Sequence, residues 1–223
     1  MKTKIIIIGG KGSALVIGEQ IFDAEKKGEK IEFLGYAFDD PSFGKEINGF
    51  PILCKTFEAY KKYQNHEDIK FIYQLYRPDI MQERINLLQS FKIPQNRFYT
   101  FIHPSAVIAK SAKIGNGTAI LANAVINPNS EIGNFCSIHS NGLIGHDTKV
   151  GDFNFFAAHS VIGSNNTIGN ANFFGLNCSV NNYTNIGDFA FIGMAANVIK
   201  DVPSGVKVYG NPAKPFTKTI KPL

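Results

Sequence analysis

An apolar residue recurs at every sixth position from Ile102 to Val198. Fifteen of these seventeen positions hold Ile or Val, and the other two hold Phe156 and Phe174. A helix, whose faces repeat every 3.6 residues, cannot keep this register over such a length, whereas a unit of one short strand and one tight turn can. Most residues two places before the apolar positions are small, which fits a tight inner corner. The pattern therefore predicts a solenoid of stacked short strands.

A second pattern recurs every eighteen residues, which is three times the first period. Three six-residue units therefore form one coil of a triangular prism. Phe156 and Phe174 should then stack inside it, between Ile138 and Ile192. With coils about 4.8 Å apart, the prism would have about five to six turns. The second period is carried by Ile114-Gly115-Asn116, Ile132-Gly133-Asn134, Val150-Gly151-Asp152, Ile168-Gly169-Asn170 and Ile186-Gly187-Asp188, and by a ladder of residues that tolerate a left-handed backbone, Asn123, Asn141, His159 and Asn177.

The part of the chain before Ile102 predicts a small parallel sheet with helices packed on it. The expected strands span 4–8, 31–38 and 71–75, and the expected helices follow Gly12 and span 56–63 and 78–91. The turn that contains Gly10, Gly12 and Ser13 would present backbone N–H groups to an anion such as phosphate. It is not a dinucleotide fingerprint, because Leu15 stands where Gly or Ala is required. The apolar face of the first helix is assigned to Leu15, Val16, Ile21 and Phe22.

Composition and charge narrow the class of protein. The 223 residues are 44% hydrophobic and 18% charged with a net charge of +5, which is typical of a folded globular chain. The basic residues are scattered, so we expect a small anionic ligand and no nucleic acid. The apolar run at 5–8 is too short to cross a bilayer and follows no signal pattern, which predicts a cytoplasmic protein without membrane insertion. Three cysteines without a CxxC pair indicate neither a disulfide framework nor a thiolate zinc site.

Five histidines are candidates for a general base near neutral pH. His66 lies in a charged stretch and His103 at the junction of the two patterns, so both are interpreted as structural or exposed. His159 belongs to the corner ladder, and His139 follows an inward Ile and should point outward. His146 stands at a corner where a side chain can leave the prism, and Asp147 follows it. His146 is therefore either a base that Asp147 orients or a polar turn residue.

Residues 102–213, which include a closing Tyr209-Gly210-Asn211-Pro212-Ala213 segment, resemble the hexapeptide-repeat acyltransferases. With the first part and the junction His103-Pro104-Ser105-Ala106-Val107, the whole chain resembles the family of sialic acid O-acetyltransferases and bacillosamine-pathway N-acetyltransferases. The resemblance implies an α/β, Rossmann-like nucleotide-sugar-binding domain at 1–101 and, at 102–223, an all-β left-handed parallel β-helix acyltransferase domain with a C-terminal tail. It also implies transfer of an acetyl group from acetyl-CoA to an amino or hydroxyl group of a nucleotide-linked sugar in bacterial surface glycan biosynthesis.

The same resemblance implies roles for individual residues. His146 and Asp147 would be catalytic, and the nucleotide sugar would lie against Gly10, Gly12, Ser13, Asp39 and Asp40. The chain would form a homotrimer with acetyl-CoA between adjacent prisms, where Phe155 and Phe173 offer apolar surface. The chain departs from the family at Ser13-Ala14, where many relatives have His-Gly, and at Phe155, where many have a second His.

Two other classes of function stay open. One is a β-helix that binds or scaffolds without catalysis, which the Phe at position 155 favours. The other is a metalloenzyme similar to the β-helical carbonic anhydrases, in which three imidazoles must converge on one metal ion. His139, His146 and His159 occupy different places in their six-residue units, so we do not expect such a site.

Overall fold

A five-stranded sheet with flanking helices forms the first part of the chain in the computed structural model, which describes residues 2–216. The parallel strands β1 (Thr3–Ile8), β2 (Ile31–Ala37), β4 (Phe50–Cys54) and β5 (Ile69–Tyr73) lie in the order β4-β2-β1-β5, and β3 (Glu46–Ile47) pairs antiparallel with β4. The helices are α1 (Ser13–Lys26), α2 (Ala59–Tyr63) and α3 (Met81–Ser90). Because β1, β2 and β5 are parallel, their carboxyl ends meet at one edge of the sheet.

Three details of this sheet differ from the sequence prediction. The β3–β4 hairpin was missed, although Asn48-Gly49 between two apolar residues is a strong hairpin signal. β5 begins and ends two residues earlier than expected, because its pairing with β1 stops at Tyr73 and leaves Gln74 in the following loop. Val16 is 42% exposed, since α1 buries the face formed by Ala14, Ile17, Gly18, Ile21 and Ala24.

Stacked two-residue strands form the rest of the chain, and they fit the left-handed parallel β-helix that the sequence predicts. Each strand from residue 101 to residue 198 pairs in parallel with the strand eighteen residues away, so these strands line up as three faces. Face A contains β6 (Phe101–Ile102), β9 (Ala119–Ile120), β12 (Ser137–Ile138), β15 (Phe155–Phe156), β18 (Phe173–Phe174) and β21 (Phe191–Ile192), and it is extended by β23 (Lys207–Tyr209) and β24 (Lys214–Pro215). Face B contains β7 (Val107–Ile108), β10 (Val125–Ile126), β13 (Leu143–Ile144), β16 (Val161–Ile162), β19 (Ser179–Val180) and β22 (Asn197–Val198). Face C contains β8 (Lys113–Ile114), β11 (Glu131–Ile132), β14 (Lys149–Val150), β17 (Thr167–Ile168) and β20 (Asn185–Ile186).

The interior of the prism confirms the six-residue pattern. The rings of Phe156 and Phe174 stack at 4.5 Å with an interplanar angle of 10°, and their strands pair with those of Ile138 and Ile192 as predicted. The first coil is less buried than the others, because Ile102 is 40% exposed and Ile108 and Ile114 are only half-buried. Asparagines also occupy inner corners: the amide of Asn154 donates to the carbonyl oxygens of Gly151 and Gly169. These internal amide contacts between coils were not predicted.

All three corners of the prism use the left-handed backbone region. The predicted ladder of Asn123, Asn141, His159 and Asn177 has φ angles of +56° to +60°, and Asp147 has a φ of +56°. The same conformation occurs at every sixth residue from 123 to 195, including Phe135, Phe153, Ala171, Tyr183 and Phe189. The sequence prediction was therefore correct for one corner but too narrow, since bulky residues adopt this conformation at the other two.

The sheet packs on face A through polar and aromatic contacts. The amide of Gln20 accepts from the N–H of Ala122 at 2.8 Å and donates to Ser140 at 3.0 Å. The hydroxyl of Tyr76 donates to the carbonyl oxygen of Phe135. The ring of His103 is buried and lies 3.0 Å from the carboxylate of Asp23, which agrees with a structural role for this histidine.

The outward residues give each face a different surface. The α/β sheet covers the lower part of face A, where Ala119, Leu121 and Ser137 are fully buried. Face C presents polar and charged residues, with an ion pair of 3.3 Å between Lys113 and Glu131. Face B instead presents an aliphatic column, Val107, Val125, Leu143 and Val161, and its two end members are 61% and 44% exposed. Among the described residues, no helix has the length and apolar character needed to cross a membrane.

We expect His139 to make the stability of the fold depend on pH. Burial lowers the pKa of its imidazole to about 4, and its Nε2 has no hydrogen-bond partner among residues 2–216. As the pH falls below about 6.5, the imidazole of His139 is protonated in the unfolded chain but not in the folded one. The free energy of unfolding therefore decreases until the pH reaches the pKa of the folded state. In His139→Leu, the loss in free energy of unfolding between pH 7.5 and pH 5 should shrink by about 2 kcal/mol in urea denaturation.

The matched control is His159→Asn, at an exposed corner whose left-handed backbone Asn tolerates. This control should keep the wild-type difference between the two pH values. An unchanged difference in His139→Leu would contradict the pKa assignment.

Candidate functional site

The loop between β1 and α1 lies at the carboxyl edge of the sheet. Gly12 has a φ of +55° and leads directly into α1, whose first turn has no side-chain cap and no acidic residue. The backbone N–H groups at the N-terminus of α1 therefore present partial positive charge to the space beside the loop. Gly10 has a different reason to be glycine, because a Cβ there would lie 2.5 Å from the ring of Phe38. Ser13 begins α1 and donates its hydroxyl to the side chain of Gln74 at 3.0 Å.

Lys11 belongs to the same loop but was not among the residues selected from the sequence. Its Nζ lies 2.7 Å from a carboxylate oxygen of Asp40 and 5.3 Å from the ring centre of Phe43. The ammonium of Lys11, followed by hydrogen bonds from Ser42, lowers the pKa of Asp40 to about 2. Asp40 is therefore ionised throughout the neutral range.

Asp39 and Asp40 have different surroundings although they are adjacent. Both carboxylate oxygens of Asp39 accept from Thr56, one from the N–H at 3.0 Å and the other from the hydroxyl at 2.6 Å. Asp39 thus holds the start of the short helix before α2. Asp40 accepts from the N–H of Ser42 and also contacts the glycine loop through Lys11, so it is the better placed of the two to affect a ligand.

Two adjoining cavities open at this edge of the sheet. The larger, about 510 Å³, is lined by Gly10, Lys11, Phe38, Asp39, Asp40, Gln74, Leu75, Tyr76, Arg77, Arg84 and Leu87. The smaller, about 260 Å³, is lined by Lys11, Gly12, Ser13, Gln74, Tyr76, Pro78, Met81, Phe153, Phe155, Ala171, Asn172 and Phe173. Lys11, Gln74 and Tyr76 line both, so one elongated ligand can occupy the two. Every residue that the sequence assigned to the nucleotide sugar lines one of these two cavities.

Phe155 and Phe173 stack at 5.1 Å and form one wall of the smaller cavity. The resemblance to the family implies that they lie at the boundary between adjacent prisms. In the structure Phe155 instead lies near Tyr76 of the same chain, with 6.4 Å between ring centres, because the α/β sheet packs on face A. The two rings therefore face the glycine loop of their own chain.

His146 and Asp147 form a close pair at the corner that follows face B. His146 Nδ1 lies 2.7 Å from one Asp147 oxygen, and the other oxygen accepts from the amide of Asn129 at 3.0 Å. The contact with His146, and then that with Asn129, lowers the pKa of the Asp147 carboxyl. A carboxylate can only accept at Nδ1, so the proton of a neutral imidazole lies there and Nε2 is free to take up another.

The structure does not join this pair to the cavities within one chain. His146 lines neither cavity, and its side chain is 54% exposed. The residues that the sequence analysis missed at the cavities are Lys11, Gln74, Tyr76, Arg77 and Arg84. Only Lys11 had a sequence signal, since it lies inside the glycine turn. Across residues 2–216, no three His, Cys, Asp or Glu side chains are grouped to hold a metal ion.

The contact between Lys11 and Asp40 can be tested by replacing the lysine. In Lys11→Met, the pKa of Asp40 should rise from about 2 towards its ordinary value, because the largest cause of the shift is removed while Ser42 remains. An NMR titration of the Asp40 carboxyl measures this change. Asp68, whose pKa is lowered by its own contact with Lys4, should titrate as in the wild type. An Asp40 titration that does not move would show that Lys11 is not its partner in solution.

No protein-family model matches the chain, and no curated protein matches it. Solved structures do. A variant of perosamine N-acetyltransferase from Caulobacter crescentus, in complex with CoA and GDP-perosamine, is 24% identical with a TM-score of 0.82, over 96% of this chain and 97% of that one. The acetyltransferase domain of PglB from Neisseria gonorrhoeae is 26% identical with a TM-score of 0.78, over 96% of this chain and 100% of that one. WeeI from Acinetobacter baumannii is 23% identical with a TM-score of 0.80, over 96% and 100%. Over 96% of its length the chain therefore has the fold of these acetyltransferases, as the resemblance in its sequence predicted.

Proposed function

We propose that this protein is an acetyl-CoA-dependent acetyltransferase that modifies an amino or hydroxyl group of a nucleotide-linked sugar in bacterial surface glycan biosynthesis. The observation that carries the proposal is the whole-length match to solved acetyltransferases, one bound to CoA and GDP-perosamine and one 26% identical to this chain. Acetyl-CoA and nucleotide sugars are cytoplasmic metabolites, so the reaction belongs in the cytoplasm.

The nucleotide is assigned to the larger cavity, in a Rossmann-like domain that spans residues 1–101. Lys11, Arg77 and Arg84 supply positive charge for the phosphates. Phe38 and Leu87 offer apolar surface for a base. Asp40 offsets the positive charge of Lys11 through their ion pair. When the nucleotide binds, Lys11 would exchange its contact with Asp40 for a contact with a phosphate.

The sugar is assigned to the smaller cavity, between the glycine loop and a β-helix domain at 102–223, whose residues 217–223 lie outside the described part of the chain. Ser13 and Gln74 provide polar contacts on one side of it. Phe155 and Phe173 provide an apolar wall on the other, where the acetyl end of acetyl-CoA would meet the sugar. Because Phe155 has no hydrogen-bond donor, the oxyanion formed during transfer must be stabilised by other groups.

His146 is assigned the role of general base. Its free Nε2 would take the proton of the sugar's amino or hydroxyl group as that atom attacks the thioester carbonyl. The new bond to the acetyl carbon forms, the C–S bond breaks, and the proton passes to the CoA thiolate. Asp147 fixes the tautomer through Nδ1 and is itself held by Asn129.

This mechanism requires a second copy of the chain, because His146 lies away from both cavities of its own chain. Face B ends at the corner that carries His146, and its aliphatic column has no partner within residues 2–216. Burial of this column between copies would bring His146 to a subunit boundary, where a cavity of the next copy can meet it. A homotrimer with acetyl-CoA between adjacent prisms satisfies this geometry.

The proposal is tested by incubation with acetyl-CoA and UDP-, dTDP- and GDP-linked amino sugars, with acetylated product detected by mass spectrometry. In His146→Ala, kcat should fall about 10²- to 10⁴-fold, the range for loss of a general base. Asp147→Asn should lose less, since the base remains. The exposed corner residue His159 provides the control, and His159→Asn should keep wild-type kcat. A His146→Ala protein with unchanged kcat from pH 6 to pH 9 would remove the base assignment.

A wild-type protein that transfers no acetyl group to any sugar of the panel would contradict the proposed activity. Acetyl-CoA or a nucleotide sugar that raised the melting temperature without turnover would then identify the non-catalytic binding protein, in which Phe155 reflects a lost activity.

The assembly is tested by light scattering at micromolar concentration, where we expect a trimer. Val161→Glu places a charge in the aliphatic column of face B and should yield smaller species that transfer little acetyl but still bind nucleoside diphosphate. Thr167→Glu makes the same change at the exposed outward position of the next strand, on face C, and should stay trimeric and active. A Val161→Glu protein that remains a trimer would place the subunit boundary on another face.

A further inference from the structure

Gln74 is a buried polar residue with one half of its amide unused. Its side chain is 3% exposed, although it follows directly after β5 at the carboxyl edge of the sheet. Its Oε1 accepts from the hydroxyl of Ser13 at 3.0 Å, which orients the amide. Its Nε2 has no hydrogen-bond partner among residues 2–216. A buried donor without a partner is costly, so this arrangement calls for a partner from outside the chain.

The position of Gln74 limits what this partner can be. Gln74 lines both cavities, as do Lys11 and Tyr76, so any ligand that extends from one cavity to the other passes this amide. On the side of the smaller cavity, Ser13 lies beside Gln74 and the rings of Phe155 and Phe173 form the opposite wall. The side chain of Gln74 is therefore placed where an elongated ligand would pass from the positively charged larger cavity into the smaller cavity, which has Ser13 on one wall and aromatic rings on another.

Other unpartnered groups near the cavities do not compete with this assignment. Asn172 also lines the smaller cavity, and its amide nitrogen has no hydrogen-bond partner in the described part of the chain. It lies eighteen residues after Asn154, whose amide is directed at carbonyl groups between coils, and its own Oδ1 accepts from the N–H of Ala190. The side chain of Asn172 therefore belongs to the inner corner of the prism. Arg84 has an unpartnered Nε but lines only the larger cavity.

We propose that Gln74, oriented by Ser13, determines which sugar the protein accepts. Its Nε2–H donates to an oxygen substituent on one edge of the sugar, a hydroxyl or an acyl carbonyl, while Phe155 and Phe173 lie against the apolar C–H face. The preferred sugars thus carry an oxygen acceptor at the edge that meets Gln74 and little polarity on the opposite face. This inference rests on the proposed assignment of the smaller cavity to the sugar.

The experiment measures what the sugar adds to nucleotide binding. Calorimetric titrations compare UDP, GDP and dTDP with the same nucleotides linked to amino sugars, GDP-perosamine among them. In Gln74→Leu, the gain in affinity from the sugar should fall roughly 10- to 100-fold, the value of one lost hydrogen bond to a desolvated site. The affinities for the nucleoside diphosphates alone and for acetyl-CoA should stay within a factor of about two of the wild type.

Two further variants keep the test valid if Gln74→Leu folds poorly. Gln74→Glu preserves shape and the oxygen that accepts from Ser13 but replaces the donor by an acceptor, so it should lose the same gain. Ser13→Ala removes the hydroxyl that orients the amide of Gln74, so this variant should lose part of the gain in affinity from the sugar. The matched control is Gln20→Leu, because both amide atoms of Gln20 have partners across the contact with face A. It should lower the melting temperature and leave the contribution of the sugar unchanged.

Three outcomes would overturn the inference. The contribution of the sugar could be unchanged in both Gln74 variants, the variants could lose affinity for the bare nucleoside diphosphates equally, or the wild type could bind no sugar of the panel more tightly than its nucleotide. The binding assay needs no acetyl transfer, so the two proposals fail separately. Binding that depends on Gln74 without turnover removes only the activity, whereas turnover with an unchanged KM for the sugar in Gln74→Glu removes only the role of Gln74.

Discussion

A left-handed backbone conformation at every sixth residue is the constraint on which the prism depends. For residues other than glycine this conformation costs roughly 1–2 kcal/mol each, so it must be supported by other contacts. The coils provide them: Phe135 donates its N–H to Asn116, Asp147 to Pro128 and Phe153 to Asn134, each at 2.8–3.0 Å. Each strained corner is thus tied to the coil before it, and the spacing of eighteen residues is a requirement of the hydrogen bonding.

The same constraint produces the pair of side chains assigned to catalysis. Asp147 is itself a left-handed corner residue, and the sharp turn there brings its carboxylate back to the ring of the residue before it. Asn129, the equivalent corner of the preceding coil, holds the other oxygen. A histidine at a free corner and an aspartate at the strained position therefore form an oriented pair with the help of one side chain from the coil before.

The sequence was sufficient for features that depend on local periodicity. The strand register, the stack of Phe156 on Phe174 and the corner position of His146 all follow from counting in sixes. The cavities were only partly predictable, because they depend on contacts between distant segments. Nothing near Gln74 in the sequence indicates that Ser13 will orient it, and Asp39 gives no sign that Thr56 will occupy both its oxygens. The contact of Phe155 with Tyr76 was not predictable for the same reason, since it depends on the packing of the sheet on face A.

Within residues 2–216, the α/β sheet and its helices contact only the earlier coils of the prism. The apolar contacts of the prism with the sheet and helices run from Phe101 up to Ala171, which packs with Met81 and Ile85 of α3. Beyond that height, the described coils contact their neighbours in the stack and the closing hairpin of β23 and β24. Since a coil is stabilised by what lies directly above and below it, opening costs least at the C-terminal end. The structure would therefore unravel coil by coil from that end, and the cavities at the sheet would be among the last parts to be lost.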